Sequence, residues 1–175
     1  FLTFVATLHP GVAPTAHLSL IATALILLGV PSGMIGGSLG ARHGLARVAT
    51  LALVASGVVG LMVGFTSGWP YWLFFFGPLV LHNILVMADA GALSAGVMSC
   101  ADPQRRGSTV AFYTMVGSIG SFIGPVLFGT VLDLTGGRQV AMAWGFGFAS
   151  VGLVCIACGL TLRHLAAGAR APALR

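Results

Sequence analysis

Apolar residues run along this chain in five blocks, each near the ~20 residues that a helix needs to cross the hydrocarbon core of a bilayer. The blocks extend from Leu18 to Leu39, Val48 to Phe65, Tyr71 to Met98, Thr109 to Leu132 and Val140 to Leu162, and an apolar stub, Phe1 to Leu8, precedes them. The pattern predicts an all-α integral membrane protein with five full transmembrane helices plus an N-terminal partial helix, in spans 1–8, 18–39, 48–65, 71–98, 109–132 and 140–162. The stub is too short to cross a bilayer and no initiator Met opens the chain. The sequence therefore reads as the C-terminal piece of a longer protein rather than as a signal peptide with its mature domain.

Composition agrees with lipid as the solvent. Hydrophobic residues make up 57% of the chain and charged ones 6%, mean hydropathy is +1.02, and Lys and Glu are absent. A soluble domain of 175 residues could not cover its surface from that supply. The net charge of +5 does not imply nucleic acid, because the arginines sit in short breaks between apolar blocks rather than along one face. Cys100, Cys155 and Cys158 form no disulfide framework, and the Cys155-x-x-Cys158 pair lies in an apolar run without the strand–helix context of a redox site. No zinc-ligand spacing, Walker loop or dinucleotide fingerprint occurs, so neither a metal nor a cofactor is predicted.

The arginines set an orientation. Arg42 and Arg47 fall in one break, Arg105 and Arg106 in another, and Arg163, Arg170 and Arg175 at the end, which puts seven of the eight on one side of the membrane. The positive-inside rule makes that side, and the C-terminus, cytoplasmic. Trp69, Tyr71 and Trp72 mark the opposite interface, and Trp144 reads as an interfacial or lipid-facing aromatic. Arg105 and Arg106 are expected to anchor their loop and meet lipid phosphate. The Arg-only, Ala- and Gly-rich usage suits a bacterial inner membrane.

Within the spans, Gly33 and Gly37, Gly36, Gly40 and Gly44, and Gly120 and Gly124 recur every four residues, giving smooth faces that let a neighbouring backbone approach. Pro31, Pro78 and Pro125 interrupt three spans and should kink or loosen them. Asp89 is the acidic residue set deepest in the apolar blocks, about nine residues, or roughly 14 Å of helix, from the nearest charged loop. A carboxyl at that depth costs several kcal/mol and usually faces a bundle interior or an aqueous path. His82, seven residues earlier, lies within about 20° of the same face and roughly 10 Å away along the axis, with Asn83 at the edge of the stripe. Tyr113, Thr114, Ser118 and Ser121 give the next span a modest polar side.

Two segments resemble a known family. Gly37-Ser-Leu39-Gly40-Ala41-Arg42-His43-Gly44-Leu45-Ala46-Arg47 is similar to the loop signature of the major facilitator superfamily, in the copy between its eighth and ninth helices. Ala41 stands where that signature has Asp, whereas Arg42, Gly44 and Arg47 match. Asp102-Pro103-Gln104-Arg105-Arg106-Gly107, followed by Gly117, Gly120, Gly124-Pro125, Gly129 and Asp133, resembles the family's passage from helix ten into helix eleven. The stretch from Gly120 to Pro125 is also similar to a motif associated with antiporters, at its repeat position. The resemblance covers nearly the whole chain, from the end of helix seven to helix twelve.

The resemblance implies an MFS-like six-helix half-bundle that works with a missing N-terminal half, the two enclosing one site for a small-molecule substrate and rocking about it. It places Asp89 and His82 on cavity-lining helix ten, where a protonatable Asp89 would couple transport to protons and Asn83 and Tyr113 would help line the cavity. The alternatives are an intramembrane enzyme and a non-transporting membrane scaffold. The enzyme reading would pair Ser94 with His82, but on one helix they stand roughly 18 Å apart and about 120° around, beyond hydrogen-bond reach.

Overall fold

The computed structural model describes residues 2–8, 15–66 and 72–170. They form six helices: α1 (Leu2–Leu8), α2 (Thr15–His43), α3 (Leu45–Phe65), α4 (Trp72–Cys100), α5 (Arg106–Leu134) and α6 (Ala141–Arg170). Five of them are long and apolar enough to cross a membrane. Most overrun the apolar blocks at their ends because hydropathy marks the edge of hydrocarbon, whereas a helix goes on into the headgroup layer. At about 1.5 Å per residue, a 29-residue helix such as α4 exceeds the roughly 30 Å hydrocarbon core and must tilt or protrude. Helix also runs unbroken through Pro31, Pro78 and Pro125, so none of these prolines ends its span.

Among the described residues three connections are short, and local chemistry explains them. The break between α2 and α3 is a single residue, Gly44, at φ 97, a conformation that L side chains rarely adopt. Its N–H donates to the Gly40 carbonyl at 2.9 Å, while its own carbonyl receives the Arg47 and Val48 amides, both at 3.1 Å. Between α4 and α5, the Asp102 carboxylate accepts the Gln104 amide at 2.9 Å across Pro103, an Asx turn. At the end of α5, Gly136 and Gly137 take positive φ, and the Gly137 amide closes back on the Leu132 carbonyl at 2.9 Å, the long bond of a Schellman cap.

Helix α3 lies centrally, packed against α6 and α4; α4 packs in turn against α2, and α5 leans chiefly on α6. A core cluster forms where α1 meets α3, α5 and α6: Phe4, Val5, Val63, Leu132, Ala143 and Trp144. Trp144 corrects the expectation of a lipid-facing aromatic. It is 9% exposed, stacks on Phe4 with ring centroids 5.6 Å apart, and donates its indole N–H to the Arg138 carbonyl at 2.9 Å. The aromatic belt read at Trp69, Tyr71 and Trp72 involves side chains outside the described residues.

Candidate functional site

Helix α4 carries polar groups on two faces, and they meet different neighbours. His82 turns toward α3 and α6. Its Nδ1–H donates to the Ser56 carbonyl of α3 at 2.9 Å, and a carbonyl can only accept, so this nitrogen carries the proton. The ring stands edge-on to Phe148 of α6, with centroids 6.3 Å apart. Room for it comes from Gly60, where an added Cβ would lie 3.1 Å from the imidazole. Asp89, two turns along the same face, is half-buried. On a continuous helix the spacing of seven sets His82 and Asp89 about 20° apart on one side.

Asn83 is one residue, and so about 100°, further round the helix. It faces α2, where Gly29, Gly33, Asn83, Met87, Gly91 and Ser94 help line a groove of about 500 Å³. The spacing 83, 87, 91, 94 on α4 is a single helical stripe. Its backbone is pressed against α2: a Cβ on Gly91 would strike the Gly33 carbonyl, and one on Gly36 would strike the Ala88 carbonyl. The Asn83 Oδ1 is buried without a hydrogen-bond partner among the described residues. Orphaned polar atoms are uncommon in folded proteins and call for a physical reason. Ser94 and Tyr113 close one end of this polar set, their hydroxyls 3.4 Å apart across α4 and α5. Ser94 could be noticed in the sequence only as a candidate nucleophile. Its stripe with Asn83 becomes meaningful once α2 is known to be the neighbour.

The other predicted polar positions are spent locally. Thr114, Ser118 and Ser121 donate to the Val110, Thr114 and Gly117 carbonyls of their own helix at 2.9, 2.9 and 3.0 Å. In the loop signature, Gly37 packs toward the Gly91 carbonyl, Gly44 is the hinge, and Arg42 and Arg47 are exposed on either side of it. Arg42 and His43 end α2, where cations complement the helix dipole. Arg105, Arg106 and Gly107 are exposed at the start of α5. Gly120, Gly124 and Pro125 lie on α5, and no atom of another side chain or helix comes within 4 Å of where a Cβ would stand on either glycine.

A sequence profile described as Major Facilitator Superfamily matches residues 2–173, almost the entire chain. No curated protein and no solved structure matches it.

Proposed function

Because the chain belongs to the major facilitator superfamily, a family of membrane transporters, we propose that it performs secondary active transport of a small organic solute by alternating access, coupled to protons. On this reading the chain is the C-terminal half-bundle, and an N-terminal half completes the cavity. A bacterial inner membrane with the C-terminus cytoplasmic is part of the same proposal, supported by the arginines gathered at one end of the bundle.

The observation that carries the proposal is the division of α4 into two polar faces. Asn83 presents an unpaired acceptor beside the α2 groove, which suits a donor group on a solute, with Ser94 and Tyr113 nearby. His82 lies about 100° round the helix, against α3 and α6, and Asp89 shares its face. A proton taken up by Asp89 would then act on the packing of α4 rather than touch the solute. Charge at that depth is costly, so its gain or loss is a lever on helix position. The same orientation also favours a second reading, in which Asp89 is a structural carboxyl of the helix interface.

The test compares Asp89→Asn with Asp89→Ala in proteoliposomes of the full-length protein under an imposed pH gradient. Asp89→Asn is expected to fold and insert but to lose accumulation against a gradient, while exchange down a gradient survives. A structural carboxyl would instead show as lost thermal stability in Asp89→Ala, by about 1–3 kcal/mol for a stranded partner. Uptake by Asp89→Asn at the unmodified rate and pH dependence sinks the coupling role.

A further inference from the structure

We propose that the crevice between the first turns of α3 and the last turns of α6 binds the phosphate of an anionic phospholipid headgroup. The crevice encloses about 440 Å³, within the range of roughly 300–1,000 Å³ seen for ligand sites. Arg47 and Thr50 line it from α3, and Arg163 lines it from α6 beside the small walls Ala166 and Ala167. The acidic residues of the chain, Asp89, Asp102 and Asp133, are all absent from these walls. Two arginines therefore line a cavity whose walls, among the described residues, supply no carboxylate.

Thr50 adds an independent sign of a ligand. Thr23, Thr114, Thr130, Thr135 and Thr161 each donate their hydroxyl to the carbonyl four residues back, which is how a threonine is normally satisfied within a helix. Thr50 departs from that habit. It is 9% exposed, and its Oγ1 is buried with no hydrogen-bond partner among the described residues. A hydroxyl and two arginines lining one crevice are the donor types that tetrahedral oxyanions take.

The surroundings select a lipid over a free anion. Leu51, another wall residue, is 62% exposed, and Leu160 and Leu165 are exposed on α6 close by in sequence, giving acyl chains an apolar track out of the crevice. The crevice also lies at the arginine-rich end of the bundle, at the edge of spans Leu45–Phe65 and Ala141–Gly168, which is headgroup depth. Basic crevices between transmembrane helices at such a depth hold acidic headgroups. The site lies apart from the α2–α4 groove and from Asp89, so it stands whether or not transport is proton-coupled.

Native mass spectrometry of the full-length protein in detergent, offered dioleoylphosphatidylglycerol, dioleoylphosphatidylcholine or inorganic phosphate, tests the proposal. Phosphatidylglycerol should be retained in preference to phosphatidylcholine, and millimolar inorganic phosphate should not displace it. Arg47→Gln combined with Arg163→Gln should weaken retention roughly 25-fold, about fivefold for each arginine. Thr50→Val should weaken it about fivefold while leaving the thermal midpoint in phosphatidylcholine micelles unchanged or raised, since the valine removes an orphaned hydroxyl. Equal retention of the two lipids overturns the proposal, as does retention of phosphatidylglycerol by the double variant at the unmodified level. Displacement by inorganic phosphate overturns the lipid assignment in favour of a soluble anion.

Discussion

Two sets of glycines in this bundle share composition and differ in what faces them. Between α3 and α6 the glycines are closed against each other. A Cβ on Gly57 would lie 2.6 Å from the Gly152 carbonyl oxygen, one on Gly152 would lie 2.7 Å from the Gly57 carbonyl oxygen, and one on Gly64 would meet the Gly145 Cα at 3.0 Å. On α5, Gly107, Gly117, Gly120, Gly124 and Gly129 have nothing within 4 Å of where a Cβ would stand, and Phe122 beside them is 76% exposed. Spacing alone says that a helix has a smooth face. Whether that face is a seam depends on the neighbour, and α3–α6 has one among the described residues whereas α5 does not.

The sharpest way to break this comparison is to place the same large side chain in both sets. Gly57→Leu should cost at least about 3 kcal/mol, at or above the usual range for overpacking, because the obstruction is a backbone carbonyl that cannot rotate away. Gly120→Leu should change the stability of this chain by less than about 0.5 kcal/mol, as surface substitutions usually do. Reversible unfolding in mixed micelles measures both. Equal losses would mean that α5 is as closed as α6 and that the contrast is false.

How much of this was legible follows the same division between a helix and its neighbours. The spans could be read because hydropathy runs are a local property, whereas Gly44 was read as part of a packing face and the gap between blocks 18–39 and 48–65 narrows to that one positive-φ residue only in the structure. The shared face of His82 and Asp89 was also readable, since a spacing of seven fixes it whatever lies opposite. Which helix they face was not: Asn83 looked like the edge of their stripe, yet one 100° step turns it toward α2. A lipid-facing Trp144 was the wrong half of its reading, because its burial depends on Phe4, about 140 residues away. The α3–α6 seam did leave a signal, since Gly57 and Gly64, and Gly145, Gly152 and Gly159, recur at seven, two turns apart. Attention to four-residue spacing passed over it. Thr50 and Asn83 left none, because neither the loss of the local bond to the carbonyl four residues back nor the lack of a tertiary partner is written in the sequence.

A smaller effect tests whether glycines of α3 also make room for a polar side chain packed between helices. Replacing His82 by Ala removes the bond to the Ser56 carbonyl and should cost about 1 kcal/mol, in line with interhelical hydrogen bonds in membranes, which average about 0.6 and reach about 1.7 kcal/mol. Gly60→Ala should be destabilising alone, with its Cβ 3.1 Å from the imidazole, but close to neutral once His82 is Ala. A double-mutant cycle reads the coupling directly. Additive losses would show that Gly60 serves the helix contact itself and not the histidine.

The smallest effect concerns the open face and differs in sign. Gly120→Ala adds a methyl where nothing stands within 4 Å, so no clash offsets the gain in helix preference. Alanine also narrows the unfolded ensemble, and the substitution should stabilise this chain by about 0.5 kcal/mol. Gly152→Ala, the same change on the closed side, must place its methyl against the Gly57 carbonyl oxygen and should destabilise. The two variants differ by one carbon atom each and carry the same propensity gain, so propensity cancels between them. Their opposite signs in one unfolding assay would isolate the neighbour as the cause; a shared sign would reduce the contrast between the two glycine sets to sequence position.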